Sequence, residues 1–417
     1  MNRLRNILTV FLMVISVNIY SQNQNEGGSP YSIFGIGDLN YNTSTRTYSM
    51  GIGGTALFGN YVNSLNPATV TKLNSTLIAT NFYYGFLKSS NGIVENKISN
   101  GNILGVNIGI PFDQIRGWVM TIGFNPVSMV NYKVNLNGTV DEEDYTQTYS
   151  GEGGLSRINL GMTYNLFRKI SIGLEYNYAF GEIKNQNFVN FNNSNYINTL
   201  INKETDFQKS FVKGGIVFEI GRLFNSLTIR NLSLGFAYQS GFNLAATRDG
   251  IYSTNAGTDT VRLNNGTIDI PPMFSVGISN LFGNRYLVSG DVILQDWSKF
   301  REFGSAVQEY QNSFRAGLGL EILPDPTASS FFGTMTYRLG GFYDKAYYKV
   351  SGQDVNTYGG RAGFNIPLSQ YNSLDFGINY SIRGKEGNGL VKDEYLNFTV
   401  SVNFGELWFL RPREEDQ

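Results

Sequence analysis

Residues Tyr395 to Phe404 alternate without a break. Leu396, Phe398, Val400, Val402 and Phe404 are apolar, while Asn397, Thr399, Ser401 and Asn403 between them are small and polar. A period of two places the two sets on opposite faces of a β-strand. The pattern recurs along the chain. Ile170, Ile172, Leu174, Tyr176, Tyr178 and Phe180 oppose Ser171, Gly173, Glu175, Asn177 and Ala179, and Leu374, Phe376, Ile378, Tyr380 and Ile382 oppose Asp375, Gly377, Asn379 and Ser381. Leu232, Leu234, Phe236 and Tyr238 likewise oppose Ser233, Gly235 and Ala237. So many strands of one kind, with no helical interludes, predict a closed antiparallel barrel whose greasy face meets lipid.

About fourteen strands are predicted, at 76–87, 102–112, 116–128, 156–166, 170–181, 210–222, 229–241, 273–281, 285–295, 312–323, 331–342, 358–367, 373–384 and 394–405. Short connections follow the second, fourth, eighth and twelfth; long ones follow the third, fifth, seventh, ninth and eleventh. A barrel with tight turns on one rim and long loops on the other has this parity, and a soluble sandwich has no reason for it. Aromatic pairs near strand ends, Tyr83–Tyr84, Phe331–Phe332 and Tyr347–Tyr348, suit interfacial girdles.

Composition narrows the chemistry. The chain has no histidine and no cysteine, which removes imidazole bases, Ser-His triads, thiolate chemistry and disulfides. An enzyme would need a Ser-Lys or carboxylate mechanism, and no spacing singles one out. No cofactor is expected. The net charge of −1 suggests no nucleic acid partner. Arg3 and Arg5, the apolar run Ile7 to Val17, and Ile19-Tyr20-Ser21 before Gln22 read as a secretory signal at 1–21. No later stretch is long enough for a spanning helix. The expected divisions are a signal at 1–21, an N-terminal segment at 22–75, the barrel at 76–405 and a periplasmic tail at 406–417. That tail, with Trp408, Phe409, Arg411 and Arg413, is either a docking element or an inert extension.

Two local features are ambiguous. Gly51-Ile52-Gly53-Gly54-Thr55-Ala56 fits a dinucleotide-binding pattern but lacks the βαβ unit that pattern requires, so close packing inside a barrel is the better reading. The run Asp141 to Asp144 is either a cation site or a solvated loop.

After the glycine run comes Asn63-Ser64-Leu65-Asn66-Pro67-Ala68, and here the chain resembles the FadL-type outer-membrane transporter family. Further matches are Gly117-Trp118, Ile270-Pro271-Pro272-Met273-Phe274-Ser275-Val276-Gly277 leading to Asp296-Trp297-Ser298-Lys299-Phe300, and Arg315-Ala316-Gly317-Leu318 through Gly341-Phe342-Tyr343-Asp344-Lys345. The resemblance also extends to type 9 secretion barrels. It implies a fourteen-stranded monomeric barrel in outer-membrane lipid with an N-terminal hatch, passively taking up hydrophobic small molecules such as long-chain fatty acids or hydrocarbons. Gly51, Gly53, Gly54, Asn66, Pro67 and Ala68 would serve the hatch, and Trp297 and Phe300 the substrate path. A lateral exit is implied at a kink in the third strand. Pro126 falls at that place, either as the kink or as the strand's end. The predicted loops 182–208 and 242–271 are polar where the family places a greasy outer groove, and Glu175, Asn177, Asp291 and Asp375 face a polar lumen. A protein-docking barrel serving a secretion system is therefore the alternative reading.

Overall fold

The protein was analysed as a computed structural model, which describes residues 27–408 apart from 192, 194, 226–228, 255–256 and 329. The predicted signal and the tail beyond Trp408 lie outside the described residues. Twenty strands form one sheet. They run β1 (Asp38–Leu39), β2 (Thr76–Ser90), β3 (Glu95–Asp113), β4 (Trp118–Pro126), β5 (Ser128–Val140), β6 (Glu143–Leu166), β7 (Ile170–Phe191), β8 (Thr199–Glu219), β9 (Ser233–Gln239) and β10 (Phe242–Thr254). They continue with β11 (Gly257–Ile270), β12 (Met273–Phe282), β13 (Tyr286–Asp296), β14 (Arg301–Glu302), β15 (Ser305–Ala306), β16 (Asn312–Ile322), β17 (Thr336–Val350), β18 (Gln353–Pro367), β19 (Ser373–Arg383) and β20 (Lys392–Glu406). Three wall positions are each shared by two strands, β4 with β5, β9 with β10, and β11 with β12. Strands β1, β14 and β15 are additions, which leaves fourteen positions around the ring. The ring shuts where β2 meets β20 antiparallel, from Thr76 opposite Glu406 to Ser90 opposite Lys392. No helix among the described residues is long and apolar enough to cross a membrane; the strands do so, pairing their backbone groups with neighbouring strands.

The faces are inverted relative to a soluble protein. On β20, Leu396 and Phe398 are 37% and 40% exposed, whereas Asn397, Thr399 and Ser401 are at most 8% exposed. On β7, Leu174, Tyr176 and Tyr178 are exposed, while Glu175, Asn177 and Ala179 are buried. An apolar exterior over a polar interior is stable only in lipid. Turns at 114–117, 167–169, 283–285 and 368–372 form the short rim, as the spacing predicts.

The other rim departs from expectation. The predicted long loops are paired strands. β5 and β6 continue to a two-residue turn in which Asp141 and Glu142 have φ of 50° and 69°, a hairpin geometry. Of the acidic run, Glu143 accepts from Asn193 at 2.7 Å. β7, β8, β10 and β11 fill most of 182–208 and 242–271. These extensions are tied by polar cross-strand pairs such as Gln147 to Asn187 (2.9 Å) and Thr148 to Asn135 (2.9 Å). Above the bilayer both faces meet water, so apolar alternation disappears although the ladder continues.

The girdle expectation is corrected at one pair. Tyr84, Phe331 and Phe332 are exposed, but Tyr347 and Tyr348 are each 3% exposed. A register shift between Lys345 and Lys349 bulges β17 there, and both adjacent tyrosines turn into the lumen.

Candidate functional site

The segment from Gly27 to Ser75 threads the lumen. At the tall rim Tyr31 donates to the carbonyl of Val391 at 2.6 Å, and at the short rim Lys72 pairs with Glu219 at 2.8 Å. It contains a 3₁₀ turn at Pro30–Ile33, one α-helical turn, α1 (Thr45–Ser49), and a 3₁₀ helix at Pro67–Lys72. Of the last two, Ser44 caps the first through Arg46 N, and Asn66 caps the second through Ala68 N.

The glycine turn is the best-anchored part. Asp291, on the inward face of β13, accepts from the consecutive amides of Gly53 (3.0 Å), Gly54 (2.6 Å) and Thr55 (3.1 Å). Converging main-chain N–H groups of this kind make an anion-binding nest, and the anion here is the barrel's own carboxylate. Gly54 has φ of +83°, which glycine adopts without strain. On the wall, a Cβ at Gly317 would lie 2.2 Å from the Gly51 carbonyl, so the missing side chain lets the two backbones touch. Asn66 joins the predicted motifs, since its Nδ2 donates to the Thr55 carbonyl at 2.6 Å. Pro67 and Ala68 follow it in the helix, fully packed.

Ion pairs hold the rest of the short-rim half. Arg46 reaches Glu321 through Nε (2.9 Å) and a terminal nitrogen (2.5 Å). Arg338 bridges Glu321 (2.8 Å) and Asp375. Burial lifts the Tyr61 hydroxyl above its ordinary value, so it remains a donor, to Leu57 O at 2.8 Å.

The tall-rim half is sealed differently. Trp297 and Phe300, 1% and 2% exposed, leave the end of β13 and enter the lumen. Trp297 stacks on Tyr347 at 4.2 Å, and Phe34 of the N-terminal segment stacks on Tyr348 at 4.4 Å. Tyr31, Ile36, Phe211, Phe242 and Leu244 belong to the same apolar cluster.

Pro126 stands at a break in the wall. β3 pairs with β4 only between Val106 and Asp113. Among the described residues, Glu95 to Gly105 has no strand paired on that side, where Asn102 Nδ2 reaches Met129 Sδ of β5 at 3.7 Å, and in the wall β5 pairs with β6. The N-terminal segment lies along the open edge of β5. β1 pairs Asp38 with Met129 and Leu39 with Ser128. Asn40 donates to the carbonyls of Val127 (2.9 Å) and Pro126 (3.3 Å), and Ser32 Oγ to that of Asn131 (2.8 Å). A cavity of about 250 Å³ lies behind the gap, lined by Asn102 on one edge, Asn131 on the other, and Arg361 and Arg383 across the lumen. Arg383 pairs with Asp38 at 2.7 Å. Arg361 donates to Asn379 (3.0 Å) and Tyr48 O (3.2 Å) and lies over the Tyr48 ring. Arg361 and Glu321 escape the sequence reading. Their signal is a lone charge at a polar position of a period-two strand, the same signal that marks Asp291.

Comparison with known proteins agrees with this architecture. A FadL homologue from Pseudomonas aeruginosa is 13% identical, with 86% of this chain and 97% of that chain covered and a TM-score of 0.58. The toluene transporter TbuX of Ralstonia pickettii is 13% identical over 86% of this chain and 97% of its own, with a TM-score of 0.57. The monoaromatic hydrocarbon channel CymD is 14% identical over 87% and 97%, also at 0.57. These likenesses establish a FadL-like barrel fold. No curated protein sequence matches the chain. The sequence model of the family described as BamG matches residues 3–414, and the chain belongs to that family.

Proposed function

We propose that this chain is an outer-membrane passage for hydrophobic small molecules. In this reading 1–21 is a signal, 22–75 is a hatch, 76–405 is the barrel, and the side exit lies at the third strand beside Pro126. The unzipped wall between β3 and β5 carries the proposal, because it interrupts the ladder beside Pro126 with a lumen cavity behind it. That interruption is covered by the N-terminal segment, with Asp38 and Leu39 paired to β5 and Ser32 and Asn40 bonded to its edge. Solved structures sharing the fold are described as a toluene transporter and a hydrocarbon channel, which is why the cargo class is hydrophobic. Release of β1 from β5 would open the route, with cargo binding favouring the released state.

Because the chain lacks cysteine, a cross-link tests this cleanly. Leu39→Cys with Ser128→Cys places two thiols at paired positions. Uptake of a fluorescent hydrophobic probe into vesicles should fall at least tenfold on oxidation and return with reductant. Full uptake through quantitatively cross-linked protein would reject the lateral route.

A second reading has its own observation. β6 has 24 residues, against about 10 needed to cross a bilayer. The excess, with β7, β8, β10 and β11, forms a polar wall outside the membrane suited to docking a protein, including a secretion-system component. Co-purification after mild solubilisation, lost when the β10–β11 tip is shortened, would support docking. A barrel that purifies alone would argue for passage.

A further inference from the structure

A small cavity of about 50 Å³ lies between the N-terminal segment and the wall, next to the side-gap cavity, with which it shares Leu39, Asn40 and Tyr41. Its lining includes Arg157, Lys213, Trp297, Gln239, Gln295 and Ser64. The first two are cations, 7% and 2% exposed, and no carboxylate lines the space. Lys213 Nζ donates to Ser64 O at 2.6 Å, and Arg157 reaches the same carbonyl at 3.4 Å. The one acid nearby, Glu175, lies 3.9 Å from Lys213 and accepts from Asn159 at 3.1 Å. Two buried basic side chains thus face one carboxylate. Two donors on the lining, Arg157 Nε and Trp297 Nε1, bond to no protein acceptor. Trp297 is 1% exposed.

We infer that this cavity is a binding site for a small monovalent anion of halide size. A buried surplus charge is costly, and an anion among donors offsets it. Indole, guanidinium and ammonium groups donate and cannot accept. A water in the same place could accept from at most two of them, whereas a halide can accept from more and carries the charge that offsets theirs. The space suits one such ion, since a water's share of liquid volume is about 30 Å³. A bound halide would tie β6, β8 and the Trp297 turn to the N-terminal segment at Ser64. The site would therefore tighten the lumen's filling beside the residues, Leu39 and Asn40, that cover the side gap.

The test uses the full-length barrel in detergent. Crystals grown with bromide in place of chloride should show an anomalous peak inside this cavity. Thermal midpoints compared in chloride and in gluconate at equal ionic strength should be higher in chloride, because a ligand that binds only the folded state raises stability. Trp297→Phe removes one donor while keeping an aromatic ring, and should weaken the halide dependence at least tenfold in concentration. Arg157→Leu should abolish both the peak and the dependence. A bromide crystal without a peak in the cavity overturns the inference. So does a chloride effect of equal size in the protein and in Trp297→Phe.

Discussion

The two halves of the lumen are filled by different physics. Near the tall rim the N-terminal segment is held mainly by an aromatic and aliphatic cluster around Trp297, Phe300, Tyr347 and Tyr348, with Asp38 on Arg383 and Tyr31 on the Val391 carbonyl as directed contacts. Near the short rim it is held by aimed groups: Asp291 on three amides, Glu321 on Arg46 and Arg338, and Asn66 on Thr55. Apolar packing is non-directional and tolerates exchanges of similar volume. Hydrogen-bonded charge fails when a single atom changes, because the partner is left buried and unpaired. In the proposed passage the short-rim half would therefore act as a latch with discrete engaged and released states, and the tall-rim half as a deformable seal. That division suits the proposed route, in which the segment would leave the side gap without leaving the barrel.

Isosteric substitutions expose the contrast most sharply. Glu321→Gln preserves shape but leaves Arg46 and Arg338 short of their shared carboxylate. The loss should be about 3–5 kcal/mol, read by equilibrium unfolding in lipid vesicles. Next comes Asp291→Asn. Its amide can still accept, but the charge that three N–H groups share is gone, for a loss of about 1.5–3 kcal/mol. The same measurement with added proteolysis should show the glycine turn cut before the wall. If either variant unfolds like the unaltered protein, the short-rim half is no latch.

How much of this was legible beforehand follows from where the bilayer lies. Within it, one face must be apolar, so β7, β19 and β20 declare themselves by period two and Asp291 stands out as an inward charge. Outside it, both faces are wet, and the extensions of β5, β6, β10 and β11 resemble loops in composition while pairing like strands. Tyr347 and Tyr348 misled for a different reason. A bulge changes which side adjacent residues face, and single-sequence periodicity carries no sign of a register shift. The partners of the glycine turn were unreadable because they lie more than two hundred residues away. The turn's need for an anion was encoded locally, whereas the identity of that anion was set by the closure of the ring.

Smaller effects refine the comparison. Asn66→Ala removes a helix cap and the bond to Thr55 O at once. It should cost about 0.5–2 kcal/mol, visible as earlier proteolysis within Pro67–Lys72. On the other side of the contrast, Leu244→Met changes a fully buried member of the seal. Methionine has nearly the same volume and more freedom to refit, so the cost should stay below about 1.5 kcal/mol. A smaller loss here than for Asp291→Asn is what a packed seal beside an aimed latch requires. If Leu244→Met instead matched the Glu321→Gln loss, the tall-rim cluster would be as geometrically exacting as the short-rim network, and the lumen would be one rigid plug with no half free to yield.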